Sequence, residues 1–240
     1  MTNILLSGAC GKMGSAVARC VSEDENLKIV AGVDRAEMLC DFPIYKSFDD
    51  VKVMPDVIID FSHISVLDGL LQFAVKNNIP VILATTGYSA EQIDKIRDTA
   101  NKIPVFFTAN MSLGVNLLCS LAKSAAKILG DNFDIEIIEK HHDKKLDAPS
   151  GTAIITAQKI AEVREAMKQG HPEEKETMAG CRGADYEGMK IHSIRLPGYV
   201  ASQEVVFGGQ GEVLRISTEP INRECYMPGV ALGCRKIMDK

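Results

Sequence analysis

Along the first half of the chain, short apolar runs alternate with stretches in which apolar residues return every three or four positions. Asn3-Ile4-Leu5-Leu6-Ser7, Lys28 to Val33, Val57-Ile58-Ile59-Asp60-Phe61, Pro80 to Ala84 and Pro104 to Phe107 have the length and bulk of buried strands. Between them, Ala16, Val17 and Cys20, then the stretches Ser65 to Asn77 and Ala90 to Ala100, have helical spacing. Strands alternating with helices predict an α/β domain with a Rossmann-like doubly wound parallel sheet, whose ligand lies at the carboxyl ends of the strands.

The second half follows another rhythm. Met111 to Leu129 repeats Leu113, Leu117, Leu118, Leu121, Ala125 and Leu129 at helical intervals and is long enough to bridge two domains. An alternating run, Phe133 to Ile138, leads into a polar stretch and then a helical pattern from Ala153 to Met167. Lys168 to Glu187 is polar, rich in Gly and Glu, and is expected as a loop or mobile excursion. Lys190 to Leu196, Gln203 to Phe207 and Glu212 to Thr218 alternate between Gly/Pro turns, which suggests antiparallel pairing. We expect a smaller α+β unit with a mixed or antiparallel sheet whose open face is a subunit interface. Arg223 to Met238 is helical and is expected to return to the first sheet. The expected boundaries are 1–112 with 221–240 for the first domain and 113–220 for the second.

A length of 240 residues, 46% apolar and 25% charged, suits one large or two modest globular domains. A formal charge of −5 without an interleaved basic and aromatic stripe excludes nucleic acid as the expected partner. No run is expected to reach the roughly 18 to 20 apolar residues of a membrane span, and the start lacks a signal peptide, so a cytoplasmic protein is expected. Seven scattered cysteines without a Cys-x-x-Cys pair are expected as reduced, mostly buried thiols, and no metal site is indicated.

Two segments carry candidate chemistry. After the first strand comes Gly8-Ala9-Cys10-Gly11-Lys12-Met13-Gly14, a strand, glycine turn and helix start that could bring backbone N–H groups to a pyrophosphate. The second strand ends in Asp34, about twenty residues after Gly14, where a carboxylate can accept from ribose hydroxyls, and Arg35 follows, where a guanidinium can take the 2′-phosphate of NADP. Ala84-Thr85-Thr86-Gly87 and Thr108-Ala109-Asn110-Met111 occupy later strand ends and are expected against a nicotinamide and its ribose. His63 is read as a helix-entry or cofactor-edge residue.

The other segment, Glu139 to Thr152, packs two histidines, three lysines and Pro149-Ser150-Gly151-Thr152 into a loop between strand and helix. Ser150 suits an N-cap, and Gly151 and Thr152 open a helix N-terminus that favours an anion such as a carboxylate. Lys144 and Lys145 add cations, and His141 or His142 supplies a proton donor near neutral pH. Lysines beside a histidine are expected to disfavour its protonated form and make it a readier acid. The segment reads as a site that holds a small acidic molecule and protonates it.

His141-His142-x-x-Lys145-x-Asp147-Ala148-Pro149-Ser150-Gly151-Thr152-Ala153 resembles the signature of the 4-hydroxy-tetrahydrodipicolinate reductase (dihydrodipicolinate reductase) family, and the resemblance covers nearly the whole chain. The glycine turn, Thr85-Thr86-Gly87, Ala109-Asn110-Met111-Ser112, Gly114-Val115-Asn116 and Arg223 support it. The resemblance implies NADH or NADPH bound by the first domain, a cyclic dicarboxylate substrate bound by the second, and a homotetramer built through the second sheet. It also implies His141 as catalytic donor or acceptor and Lys145 as proton donor, with His142, Gly151 and Thr152 on the substrate, in the diaminopimelate and lysine pathway. The chain departs from the family pattern at Ala84 (usually Gly), Met111 (usually Phe), Ala201-Ser202-Gln203 (often Gly-Glu-His) and Ile216-Ser217-Thr218 (often Ile-Thr-His). A dinucleotide sensor without catalysis, or a dehydrogenase of an amino-acid semialdehyde, are the competing readings; neither needs the acid loop.

Overall fold

A computed structural model describes residues 1–166, 169–170 and 173–239. The expected helix end at Met167, loop positions 168, 171 and 172, and the expected last domain residue 240 lie outside the described residues. The chain forms two compact units, Met1–Met111 with Tyr226–Lys240, and Ser112–Cys225.

In the first unit, β1 (Thr2–Ser7), β2 (Leu27–Val33), β3 (Ile44–Tyr45), β4 (Val57–Asp60), β5 (Val81–Leu83) and β6 (Val105–Phe107) form one parallel sheet in the order β3-β2-β1-β4-β5-β6. The helices are α1 (Lys12–Ser22), α2 (Leu67–Asn77), α3 (Ala90–Ala100) and, from the end of the chain, α6 (Met227–Ile237). Residues of β1 alternate between two cores: Ile4 and Leu6 pack with Val17, Val21, Val230 and Ile237, and Leu5 with Leu67, Leu70 and Ile96. Both faces of the sheet are therefore covered, which is why its strands read as nearly continuous apolar runs. The chain steps from β1 to β2 on one side and to β4 on the other, which opens a crevice at the carboxyl ends of β1 and β4. The two-residue β3 has no legible period, and the expected helix from Ser65 begins as a 3-10 turn, Ile64–Val66, before α2.

The second unit holds α4 (Leu113–Leu129), β7 (Phe133–His141), α5 (Gly151–Ala161), β8 (Ala184–Tyr186), β9 (Met189–Arg195), β10 (Ala201–Gly209) and β11 (Glu212–Thr218). The sheet order is β11-β10-β7-β9-β8, and the sheet is mixed: β7 pairs antiparallel with β10 but parallel with β9. The parallel pair arises because α5 and the segment after it carry the chain across between β7 and β9. Inward residues of β7, β9 and β10 (Ile135, Ile137, Met189, Ile191, Val205 and Phe207) meet Leu118, Ala122 and Ala126 of α4 and Ala153, Ala157 and Ile160 of α5.

Four expectations are corrected. The helix expected to reach Met167 ends at Ala161. Val163 packs on the core and Arg164 is buried with its guanidinium 4.0 Å from Asp131, so tertiary contacts override a sequence that would otherwise continue the helix. The segment expected as loop up to Glu187 contains β8, an edge strand paired to β9. Among the described residues one stretch, Leu113–Asn132, with mean hydropathy 1.2, is long and apolar enough by length and composition to cross a membrane, contrary to the expectation that no run reaches that threshold. Counting unbroken apolar residues missed it because Asn116, Lys123 and Lys127 interrupt the run without lowering its mean enough; Leu118, Ala122 and Ala126 of this helix are core residues. Finally, the seven cysteines are free as expected, but only Cys234 is fully buried, since most of the others lie at turns and helix edges.

Candidate functional site

The glycine turn is dictated by close packing. Gly8 has φ +78°, and a Cβ there would stand 2.6 Å from the Phe61 carbonyl oxygen. At Gly14 it would stand 2.2 Å from the Gly8 carbonyl oxygen. Only glycine lets the turn cross β4 and α1 start beside β1. Gly11 caps α1 without a side-chain hydrogen bond, which suits the helix start to an anion.

Asp34 holds the turn from β2: its Oδ2 accepts from the Cys10 amide (2.9 Å) and its Oδ1 from the Ala36 amide (2.9 Å). Each oxygen keeps a second lone pair for a ribose hydroxyl. Arg35 Nη2 donates to Ser65 Oγ (3.2 Å). A cavity of about 490 Å³ is lined by Gly8, Gly11, Asp34, Arg35, Lys46 and His63, among others. Lys46, which sequence reasoning missed, donates to the Arg35 carbonyl (3.1 Å) and pairs with Glu37 (2.9 Å). It follows the two-residue β3, where no periodic signal marks it.

A second cavity, about 320 Å³, is lined by Met13, Ala84, Thr85, Thr86 and Gly87 and shares Phe61, Ser62 and His63 with the first. Together they make a trough along the carboxyl edge of the sheet that could hold a dinucleotide. His63 caps the 3-10 turn before α2, accepting from the Ser65 amide at 3.2 Å. Asp60, fully buried at the end of β4, accepts from Ser62 Oγ (2.5 Å) and Tyr88 Oη (3.3 Å); burial and this carboxylate push the Tyr88 hydroxyl pKa upward. Thr108, Ala109, Asn110 and Met111 line neither cavity. Thr108 Oγ1 accepts from the Asn110 amide (3.2 Å), and Met111 is buried in the core. Ala9 is also a core residue, Cys10 is half-buried and Lys12 is exposed at the start of α1.

In the second unit, β7 places Phe133, Ile135, Ile137, Glu139 and His141 on one face, because side chains alternate along a strand. Where the apolar core ends, Glu139 begins, and its side chain is 0% exposed. The parallel register sets His141 against Arg195 and Glu139 against Ser193. Glu139 takes Arg195 on both oxygens, Nη1 to Oε2 (2.8 Å) and Nη2 to Oε1 (2.7 Å), and accepts from the Ser150 amide at 3.1 Å. His141 Nδ1 also lies on Oε2. Burial alone would raise the Glu139 pKa; donors from His141, Arg195 and Ser193 outweigh it and hold the carboxyl at about 2.

The expected lysine neighbour of His141 is thus corrected: the charged group touching it is a carboxylate. Lys145 pairs instead with Asp147 (2.7 Å), whose carboxyl that contact pulls below its usual range. Arg195 Nη2 also donates to the Asp147 carbonyl (2.7 Å), which ties β9 to the loop. Ser150 caps α5 as expected, accepting from the Ala153 amide at 3.2 Å, so Gly151 and Thr152 are the first residues of the helix. A Cβ at Gly151 would meet nothing within 4 Å, leaving open space in front of that terminus. His142 is exposed beyond the strand end. Gln203, a departure from the family pattern, is buried and bridges Thr156 Oγ1 (3.3 Å) and Ser150 Oγ (3.4 Å).

Glu139 and Arg195 were missed in the sequence. The period of two was the available signal, since it puts Glu139 on the face of Ile135 and Ile137, and Arg195 on the face of Met189 and Ile191.

Profiles of the dihydrodipicolinate reductase N-terminus and C-terminus match residues 2–111 and 114–240. A 4-hydroxy-tetrahydrodipicolinate reductase of Clostridium novyi is 39% identical over 241 residues, spanning 100% of this chain and 94% of the relative. One of Geobacillus thermodenitrificans is 41% identical over 252 residues, spanning 98% and 93%. Among solved structures, a dipicolinate-bound dihydrodipicolinate reductase from Paenisporosarcina sp. TG-14 superimposes with a TM-score of 0.89 at 37% identity, covering 100% of this chain and 95% of that one.

Proposed function

From the premise that this chain belongs to the dihydrodipicolinate reductase family, we propose that it reduces 4-hydroxy-tetrahydrodipicolinate to tetrahydrodipicolinate in diaminopimelate and lysine biosynthesis, in the cytoplasm. It is an oxidoreductase that uses a pyridine nucleotide. The observation that carries the reading is the donor loop. His141 ends β7 and Lys145 lies in the loop that runs from it to the capped N-terminus of α5, a combination that neither a nucleotide sensor nor a semialdehyde dehydrogenase needs.

The first unit is the dinucleotide-binding domain. Gly8 to Met13 receive the pyrophosphate at the start of α1, Asp34 the adenosine ribose, and Arg35 the 2′-phosphate when NADPH is used. Both NADH and NADPH serve, because an acceptor and a cation lie side by side at the β2 end. Ala84, Thr85 and Thr86 meet the nicotinamide side; Thr108, Ala109 and Asn110 offer backbone groups from the segment after β6, and Met111, buried in the core, supports that segment from beneath. The reduced nicotinamide supplies the hydride.

The second unit binds substrate and builds a homotetramer through its sheet. The α5 terminus at Gly151 and Thr152 neutralises a carboxylate, with His142 beside it. The 4-hydroxyl leaves as water, and hydride addition to the unsaturated ring leaves an electron-rich intermediate that a cationic surrounding stabilises and one proton completes. Lys145, held by Asp147, is the proton donor, and His141 is the catalytic donor or acceptor. The test is oxidation of reduced nicotinamide on addition of freshly generated 4-hydroxy-tetrahydrodipicolinate, set against an amino-acid semialdehyde. Turnover with the cyclic substrate alone supports the reading; turnover with the semialdehyde alone, or with neither, overturns it.

A further inference from the structure

Among the described residues the groups that meet the Glu139 carboxylate are donors: both Nη atoms of Arg195, the Ser150 amide, His141 Nδ1 and the Ser193 hydroxyl. An ionised carboxylate offers only acceptors and can satisfy all of them. With Glu139 occupying Nδ1, Nε2 is the His141 nitrogen left to work at the strand end. Arg195 extends the same node to the Asp147 carbonyl, on the far side of Lys145 in the loop. One buried anion thus touches the strand that carries His141 and the helix start that would face substrate.

We propose that Glu139 is the positioning residue of the donor loop: its carboxylate fixes the His141 imidazole through Nδ1 and, with Arg195 and the Ser150 amide, holds it in register with the start of α5. The residue does not touch substrate. It sets which imidazole nitrogen carries the proton in the neutral ring, as a buried carboxylate behind a histidine does in other acid–base sites. The role rests on the reductase reading above, but the pairing itself is a property of the protein without substrate.

Glutamine at 139 has one acceptor oxygen and one amide NH₂, so one of its edges would face a donor. The test is nitrogen-15 NMR of the His141 ring in the whole wild-type chain, together with the kinetics of Glu139→Gln. The expected wild-type ring, when neutral, is a single tautomer protonated at Nδ1. In Glu139→Gln that single tautomer is lost and kcat falls by about tenfold or more, while KM for the cyclic substrate and the dissociation constant of NADH stay within about threefold. A merely structural role would not produce that split. A wild-type His141 protonated at Nε2, or mixed between tautomers, overturns the proposal whether or not the variant folds, as does an unchanged kcat in a folded Glu139→Gln. The tautomer is read without substrate, so it stands apart from whether the substrate assignment is correct.

Discussion

Arg195 grips Glu139 by both carboxylate oxygens, at 2.8 and 2.7 Å, inside a sheet where Ser193 stands opposite Glu139 and the next row inward on the same face is Ile137 and Ile191. A two-pronged pair in that setting is worth little compared with an apolar replacement, but removing one partner leaves a buried charge uncompensated. Arg195→Ala is therefore expected to destabilise the second unit by about 3–5 kcal/mol. Urea denaturation followed by circular dichroism checks it, and a loss below about 1 kcal/mol would show that water reaches Glu139 freely.

Acid should act through the same residue. In the unfolded chain Glu139 titrates near 4.5 and in the folded protein at about 2. Its folded pKa is depressed, so its contribution is fully present above the unfolded value and is lost as pH falls toward the folded one. The size is on the order of 3 kcal/mol. Stability measured from pH 6 to pH 2 should fall mostly below about pH 4.5, and the fall should be shallower in Glu139→Gln. Parallel curves for the two proteins would contradict this.

Gly8→Ala should fail at the cofactor end. The left-handed backbone costs about 1–3 kcal/mol for a residue with a side chain, and the added Cβ would sit 2.6 Å from the Phe61 carbonyl oxygen. The turn must open, so NADH binding by fluorescence titration is expected to weaken markedly. Wild-type affinity in a folded Gly8→Ala protein would remove the turn from the cofactor site.

Arg35→Ala should separate the two cofactors. Loss of a charge-assisted hydrogen bond is worth about 1.5–3 kcal/mol, roughly a ten- to hundredfold rise in KM for NADPH, with NADH little affected. Equal changes for both would mean that Arg35 serves the fold through Ser65 rather than the phosphate.

Most of the first unit was legible because its central strands β1, β4 and β5 are buried on both sides and its helices keep their period. The glycine turn, Asp34 and Arg35 came with it, since they follow strand ends directly. The membership of β7 in the second sheet was less visible: nothing local in Phe133 to His141 says that its neighbours will be β9 and β10, which are pairings at long range. Glu139 hid in plain alternation, because a carboxylate after an apolar run reads as the end of the buried face rather than as its last, paired member. Lys46 and Arg195 gain their meaning only from partners distant in sequence, and α5 stops at Ala161 because of where Arg164 is buried, not because of its own residues.

The donor loop is put to the test by the oxidation of NADH and NADPH with freshly generated 4-hydroxy-tetrahydrodipicolinate by the wild type, His141→Gln and Lys145→Ala. We expect substrate-dependent oxidation by the wild type with both cofactors, and a fall in kcat of roughly two orders of magnitude or more in Lys145→Ala, with a comparable fall in His141→Gln and cofactor binding retained in both. Near-normal turnover in either variant would take that residue out of the chemistry, and absence of oxidation by a folded, cofactor-binding wild type would contradict the reductase assignment itself.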